Sequence, residues 1–247
     1  MRKYFLDIET CQMLAKIWDR KPNWVRMDRV VRDWSILCWT VKDVDTGECT
    51  SRSNHQFKRR FKKNPLDDTQ TVAELWKVFD SADILIAHNG DAFDIKRVKA
   101  RFLAHGYSPP SPSKTVDTLK IARRNFSLTS NRLDDLGSLL GVGRKVRTEQ
   151  GLWDRCEEGD VAAFEEMLRY NQQDVELLEA VYNRLRAWTS TTKHLELYID
   201  PHARLCPVCG SDELVSHGLR FGYRRYQCKG CGAWPRERMR AEGQGLT

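Results

Sequence analysis

Lys3-Tyr4-Phe5-Leu6-Asp7-Ile8-Glu9-Thr10 is the stretch from which the fold is read. Four mostly apolar residues run into an acidic pair spaced i, i+2. A strand has a period of two, so Asp7 and Glu9 project from one face. Two carboxylates at the end of an otherwise buried strand repel each other and, once desolvated, take up protons. A divalent cation between them removes both costs. The pair reads as a holder of magnesium or manganese, on condition that the chain brings further carboxylates to it.

The 247 residues suffice for one well-buried core and a small appendage, and 40% hydrophobic with 30% charged residues is ordinary globular composition. No apolar run approaches a membrane span, and the strand after Met1-Arg2-Lys3 is too short for a signal peptide. The expectation is a cytoplasmic protein, bacterial or in a virus-infected cell, with no membrane partner. Of eight cysteines, Cys11, Cys38, Cys49 and Cys156 are scattered and four form two Cys-x-x-Cys pairs, a pattern of metal rather than disulfide. The net charge of +7, of which +4 falls in residues 204–247, points to an anionic partner, and nucleic acid fits it.

Beyond the first strand, residues 11–33, with Trp18 and Trp24, carry no readable pattern. Ile36 to Val41, the turn Asp45-Thr46-Gly47-Glu48 and residues 49–54 predict a hairpin beside that strand. Residues 50–66 hold six basic side chains (Arg52, Lys58, Arg59, Arg60, Lys62, Lys63), no acidic one, and Phe57 and Phe61. They read either as a solvated loop whose aromatics dock on the core or as a surface that tracks phosphates. Val72, Leu75, Trp76 and Phe79 predict a helix over 70–80, and Ile84-Leu85-Ile86-Ala87 a buried strand ending in His88-Asn89-Gly90. A helix bearing Phe93, Ile95, Val98 and Phe102 follows. This strand, turn and helix deliver Asn89 and Asp94 to the carboxyl end of a sheet, where open α/β folds place their sites.

Asp117 reads as a helix cap, and Asp134 with Asp135 as an exposed helix start. Leu133, Leu136, Leu139 and Leu140 predict a small amphipathic helix. The longest periodic segment opens at Gly159-Asp160, with Val161, Phe164, Leu168, Val175, Leu178, Tyr182 and Leu185 facing inward. Within it Tyr170 and Asp174, at i and i+4, address one small volume.

Asp7-Ile8-Glu9, then Asn89-Gly90-Asp91-Ala92-Phe93-Asp94, then Tyr170-x-x-x-Asp174, in that order, resemble the three exonuclease motifs of the DEDD superfamily of 3′-to-5′ exonucleases. The tyrosine variant, as in the proofreading domains of DNA polymerases, is the closer match, and the resemblance covers about residues 1–190. It implies an α/β, ribonuclease-H-like fold, a mixed five-stranded sheet flanked by helices. It also implies a metal-binding quartet of Asp7, Glu9, Asp94 and Asp174 with Tyr170 as helper, Asp91 belonging to the loop. Two magnesium or manganese ions about 4 Å apart suit phosphodiester hydrolysis, and hard oxygen ligands favour them over zinc. Tyr170 is too weak an acid to be an ordinary base and is assigned to orienting the attacking water. Asn89 is expected to contact the terminal nucleotide or brace its loop, and Phe93 to touch substrate.

A second unit follows a linker over 191–203, with a possible short strand in 195–200. Cys206-x-x-Cys209-Gly210 and Cys228-x-x-Cys231-Gly232 are separated by eighteen residues. That spacing marks a four-cysteine zinc ribbon over 204–240, ahead of a tail over 241–247. So few residues cannot bury a core, and one structural zinc ion would supply the folding free energy. Tyr226-Gln227-Cys228-Lys229-x-Cys231-Gly232 resembles the small ribbons at the start of insertion-element transposases. Arg224, Arg225 and Tyr226, among other cations and aromatics such as Phe221, are expected to contact nucleic acid. The expected activity is a metal-dependent 3′-to-5′ exonuclease on single-stranded DNA or frayed 3′ ends, with replication or repair proteins as candidate partners. An exoribonuclease, or an idle nucleic-acid-binding or regulatory protein on the same fold, is the alternative.

Overall fold

Phe5, Leu6 and Ile8 are buried on opposite faces of the first strand, β1 (Lys3–Thr10), which places it inside a sheet covered on both sides. The structure is a computed structural model describing residues 2–18, 24–146, 148–149, 151–188, 205–220 and 223–238. The expected linker and tail, and Phe221, lie outside the described residues. In chain order β1 is followed by β2 (Leu14–Ala15), β3 (Val30–Arg32), β4 (Ile36–Asp43), β5 (Cys49–Ser53), α1 (Lys58–Lys63), α2 (Thr69–Ser81) and β6 (Ile84–Ala87). Then come α3 (Asp94–Ala104), β7 (Lys114–Asp117), α4 (Thr118–Asn125), α5 (Leu133–Leu139), α6 (Leu152–Glu157) and α7 (Val161–Leu185). A separate sheet holds β8 (Leu214–Arg220), β9 (Tyr223–Cys228) and β10 (Arg236–Arg238).

The main sheet has five strands in the order β5-β4-β1-β6-β7. β4 runs antiparallel to both β1 and β5, whereas β6 and β7 run parallel to β1 and to each other. This is the mixed five-stranded α/β sheet that the sequence implies. Helices cover both faces. On one, Leu6, Ile8, Trp39, Val41 and Leu85 pack with Val72, Leu75 and Phe79 of α2 and Ile95, Val98 and Phe102 of α3. On the other, Phe5, Ile84 and Ile86 meet Ala122 of α4, Leu133 and Leu136 of α5, and Val175, Leu178 and Val181 of α7.

Three expectations need correction. Residues 54–63 form a 3-10 turn and the helix α1 rather than a loop, and Phe61 docks edge-on against Phe164 of α7. Leu139 is 63% exposed, since Leu136 and Leu140, one turn apart, take the inward face and Leu139 lies about 100° round the axis. Val161 is also exposed, in the first turn of α7 ahead of the stretch that lies on the sheet.

One buried charge ties the first face together. The Asp68 carboxylate, 1% exposed, accepts from the Ile36 N–H at the start of β4, from Arg101 Nε and Nη2 at 2.7 Å each, and pairs with His105 Nε2 at 2.7 Å. Removing the guanidinium takes away both of its hydrogen bonds and its opposite charge from that buried carboxylate, so Arg101→Met is expected to lower stability in urea by about 3 kcal/mol. An unchanged midpoint would show that the pair is replaceable.

Candidate active site

The position of the carboxylates follows from the register of α7 along β1. Phe5 packs on Val175, Leu178 and Val181, and the next outward residue on that face of β1 is Asp7. One turn earlier on α7 come Asn171 and Asp174, both buried. Asn171 Nδ2 donates to Asp7 Oδ2 at 2.5 Å, which fixes the strand carboxylate against the helix. Further back, Ala163, Phe164 and Met167 pack beside Cys11, just past the end of β1. β6 pairs with β1 only as far as Phe5↔Ile86, so Asp7 and Glu9 stand beyond its end, where the chain has turned through His88 and Asn89 into α3.

Asp7, Glu9 and Asp174 each present a carboxylate oxygen, and these atoms lie within 4.8 Å of one another. Burial, then the charges of Asp94, Glu9 and Asp174, push the Asp7 carboxyl well above the usual range. Burial and the Asp174 charge carry Glu9 up to about 8, while the Lys145 charge and, less strongly, the neighbouring Trp153 indole work the other way. Asp174 is 1% exposed, and its Oδ1 is buried with no hydrogen-bond partner among the described residues. Its Oδ2 accepts from Lys145 Nζ at 2.5 Å. A desolvated oxygen without a donor, on a residue clustered with two more carboxylates, suits a hard cation, and the all-oxygen set suits magnesium or manganese.

Asp94 opens α3 and is 4% exposed. Its Oδ1 accepts the Ile8 N–H at 3.3 Å, and burial carries it up to about 7. It therefore abuts Asp7 and Glu9 without joining the tight trio. Asp91 faces away and pairs with Lys120 at 2.6 Å. Asp117 caps α4 through the Leu119 N–H and also accepts the N–H of Asn89 and Asp91. That anchor holds Asn89 in the left-handed region, at φ 62°, with its side chain exposed. The Asn89 carbonyl accepts the N–H of Ala92 and Phe93, bracing the loop ahead of Asp94.

Lys145, Asn171 and Trp153 were not foreseen. Lys145 Nζ also donates to the Tyr170 hydroxyl at 3.3 Å, so one ammonium touches both the phenol and Asp174. Burial pulls Lys145 down and Asp174 more than offsets it, leaving the ammonium firmly charged. Burial and the same carboxylate push Tyr170 above its ordinary value, leaving it a neutral O–H. Two clefts flank the carboxylates. One of about 310 Å³ is bounded by Thr10, Trp34, Phe93, Arg97 and Trp153, with Arg97 stacked over both Trp34 and Phe93. The other, of about 670 Å³, is lined by Asn89, Arg123, Asn131, Arg132 and Lys145.

A sequence model described as the RNase H superfamily matches residues 43–186, more than half of the chain. The chain belongs to the RNase H superfamily. The matched span of this RNase H superfamily chain begins at the end of β4, and β1, which bears Asp7 and Glu9, joins it through the central pairing with β4. No curated protein sequence matches the chain. Among solved structures, the family B DNA polymerase from the hyperthermophilic archaeon Pyrobaculum calidifontis aligns with a TM-score of 0.53 at 16% identity. The alignment covers 76% of this chain and 25% of the polymerase, and at that identity it speaks for the fold alone.

The RNase H superfamily span ends at residue 186, and the four paired cysteines lie beyond it. Their sulfurs converge, with Cys206 Sγ and Cys231 Sγ 3.7 Å apart and Cys209 Sγ and Cys228 Sγ 3.6 Å apart. Sulfurs at about 2.3 Å from a tetrahedral ion stand about 3.8 Å apart, so the set fits zinc. Gly210 and Gly232, at φ 77° and 75°, each donate an N–H back to the first cysteine of its pair, Cys206 and Cys228. Each thereby closes a tight knuckle that a Cβ would strain. Arg225 lies over Trp234 at 5.2 Å. Tyr226, expected at the nucleic-acid surface, is only 5% exposed: on β9 it shares the parity of Cys228 and points inward. Arg186 at the end of the main domain donates to the Gly230 carbonyl at 3.1 Å, and Ala187 packs on the cysteine cluster.

Proposed function

We propose that the protein is a divalent-metal-dependent 3′-to-5′ exonuclease of the tyrosine DEDD type, residues 1–190 forming the catalytic domain and 204–240 a zinc ribbon. The observation that carries this reading is the convergence of Asp7, Glu9 and Asp174, with one carboxylate oxygen of each within 4.8 Å of the others and Asp174 Oδ1 buried without a hydrogen-bond partner among the described residues. Asp7, Glu9 and Asp174 would hold magnesium or manganese, with Asp94 completing the set directly or through water. Bound there, a pair of such ions supplies a nucleophile from water at neutral pH and stabilises charge on the leaving 3′ oxygen.

The side chains do the rest. Tyr170, kept neutral, orients water by hydrogen bond, and Lys145 holds that phenol and Asp174 in place while offsetting negative charge. Asn89 addresses the terminal nucleotide, Arg123 and Arg132 its phosphates, and Phe93 with Trp34 lines the smaller cleft beside Arg97, which offers a cation to the strand. Cys206, Cys209, Cys228 and Cys231 would hold one zinc, leaving Arg225 to meet the strand, since Arg224 shares the inward parity of Tyr226 and Cys228 on β9.

Purified protein with Mg²⁺ or Mn²⁺ and 5′-labelled single-stranded DNA, duplex DNA and RNA should give a ladder shortening from the 3′ end on DNA. Internal cuts, or shortening without added metal, would sink the reading, and a ladder confined to RNA would replace DNA by RNA. Tyr170→Phe removes the water-orienting hydroxyl and is expected to lower kcat on the order of 10²-fold with little change in KM. A KM effect alone would move Tyr170 from catalysis to binding.

A further inference from the structure

The basic helix α1 lies apart from the carboxylates, and nothing in the chemistry above uses it. Lys58, Arg59, Arg60, Lys62 and Lys63 occupy five of its six positions and all are exposed. Only Arg60 has an acidic partner among the described residues, Asp67 at 3.0 Å. A helix this short and this charged does not hold itself together. It is held by Phe61, whose ring meets Phe164 at 5.1 Å and His55 at 6.4 Å. The fold thus devotes packing to displaying four uncompensated cations.

We propose that α1 is a second nucleic-acid contact, an anchor for the phosphate backbone of the strand whose end lies at the carboxylates. The partner is taken from the nuclease reading of that site. A cleft of about 660 Å³ runs along the helix, lined by Phe57, Lys58, Arg59, Arg60, Lys63 and Gln70, with Asp67 at its edge engaged by Arg60. It offers cations to phosphates and one aromatic face to a base. Phe61 belongs to the same packed cluster as Tyr170 and as Trp34 and Trp153, which line the aromatic cleft. Along α7, the ten residues from Phe164 to Asp174 span about 15 Å. That is four to five phosphate steps of a stacked strand at about 3.4 Å each. A membrane is the poorer partner, because Phe61 is turned into the core and leaves no apolar anchor among the cations.

The test is binding without added magnesium or manganese, so that it does not depend on cleavage. Fluorescence anisotropy with labelled (dT)20 and (dT)3 compares wild type with the quadruple variant Lys58→Gln, Arg59→Gln, Lys62→Gln, Lys63→Gln. Losing four phosphate contacts should reduce the salt slope by about 2.8, at about 0.7 per phosphate for single strands. Between 50 and 200 mM salt the affinity of the variant should then fall about 50-fold less than that of wild type. The preference for (dT)20 over (dT)3 should shrink in parallel. The triple variant Lys58→Arg, Lys62→Arg, Lys63→Arg should bind as wild type does, since only charge is required. An unchanged slope in the quadruple variant overturns the proposal, as does an arginine variant as weak as the glutamine one. Poly-glutamate competing as well as (dT)20 overturns it in favour of an acidic protein partner. A reduced slope in a protein that never shortens DNA leaves the anchor standing and removes the nuclease reading.

Discussion

Asp7→Asn should abolish metal-dependent hydrolysis, by about 10³-fold or more, while making the metal-free protein more stable above pH 7. The first effect follows from position: Asp7 faces both Glu9 and Asp174 and is braced by Asn171. A loss of that size corresponds to at least about 4 kcal/mol of transition-state stabilisation. Asn is chosen over Ala because its Oδ1 still accepts from Asn171 Nδ2, which keeps the helix seated on the strand. Retained turnover in the variant would remove Asp7 from the chemistry.

The second effect is a linkage argument with an unusual sign. Buried, paired carboxylates usually sit low, but here burial and mutual repulsion raise Asp7, carry Glu9 up to about 8 and Asp94 up to about 7. The unfolded chain releases those protons near pH 4. Between about pH 4 and 8 the folded metal-free protein therefore binds more protons than the unfolded chain, and stability falls as pH rises through that window. Asn at position 7 deletes one charge from the cluster, so the fall becomes shallower. In magnesium- and manganese-free buffer, the melting temperature of wild type should drop between pH 5 and pH 8 more than that of the variant. For a chain of this size each kcal/mol is worth about 2–4 °C. Added Mg²⁺ should restore wild type at pH 8 and do little for Asp7→Asn. A wild-type melting temperature independent of pH would contradict the raised carboxylates.

What was legible in the chain, and what was not, divides along physical lines. β1, β6 and α7 announce themselves because burial on both faces demands continuous apolar residues, and on one face a helical period. The order of the acidic motifs then implied which strand and helix must meet. Lys145 carried no such mark. It lies in the non-helical stretch after Gly143, and its partner Asp174 is 29 residues away, so only the fold brings them together. Asn171 was hidden in plain view, one helical turn from Asp174 on the same face, where a buried amide beside a carboxylate strand is a readable signal. The arm from β2 to β3 was unreadable for the opposite reason. Its strands are two and three residues long, and Trp18, Trp24 and Met27 are largely exposed, so no burial pattern existed to find among its described residues. Tyr226 was misplaced because composition was used where strand parity was needed.

Zinc removal is expected to unfold the ribbon and leave the rest of the chain folded. Among the described residues beyond 204, the buried apolar side chains are Cys206, Val208, Tyr226, Cys228 and Ala233, far too few for a core. Two sulfur pairs at 3.6 and 3.7 Å are too far apart for disulfide bonds, so no covalent link replaces the packing. Structural zinc contributes about 10–16 kcal/mol of apparent binding free energy in zinc-finger units, which would be folding free energy for a ribbon that holds it. Burial pushes Cys206 up to about 11, so a thiol that zinc must deprotonate gives up its proton on loading. Affinity should accordingly weaken as pH falls, from about 11 downward. Native protein should release one zinc per chain on thiol modification, and Cys228→Ser should release far less. Limited proteolysis of that variant should clip beyond residue 204 while residues 2–188 persist as a fragment. On long strands KM should rise more than kcat falls, because Arg225 loses the sheet that presents it while the carboxylates stay in place. A zinc-free protein with a protease-resistant ribbon would require another source of stability, and an unchanged KM would confine the ribbon to a structural role.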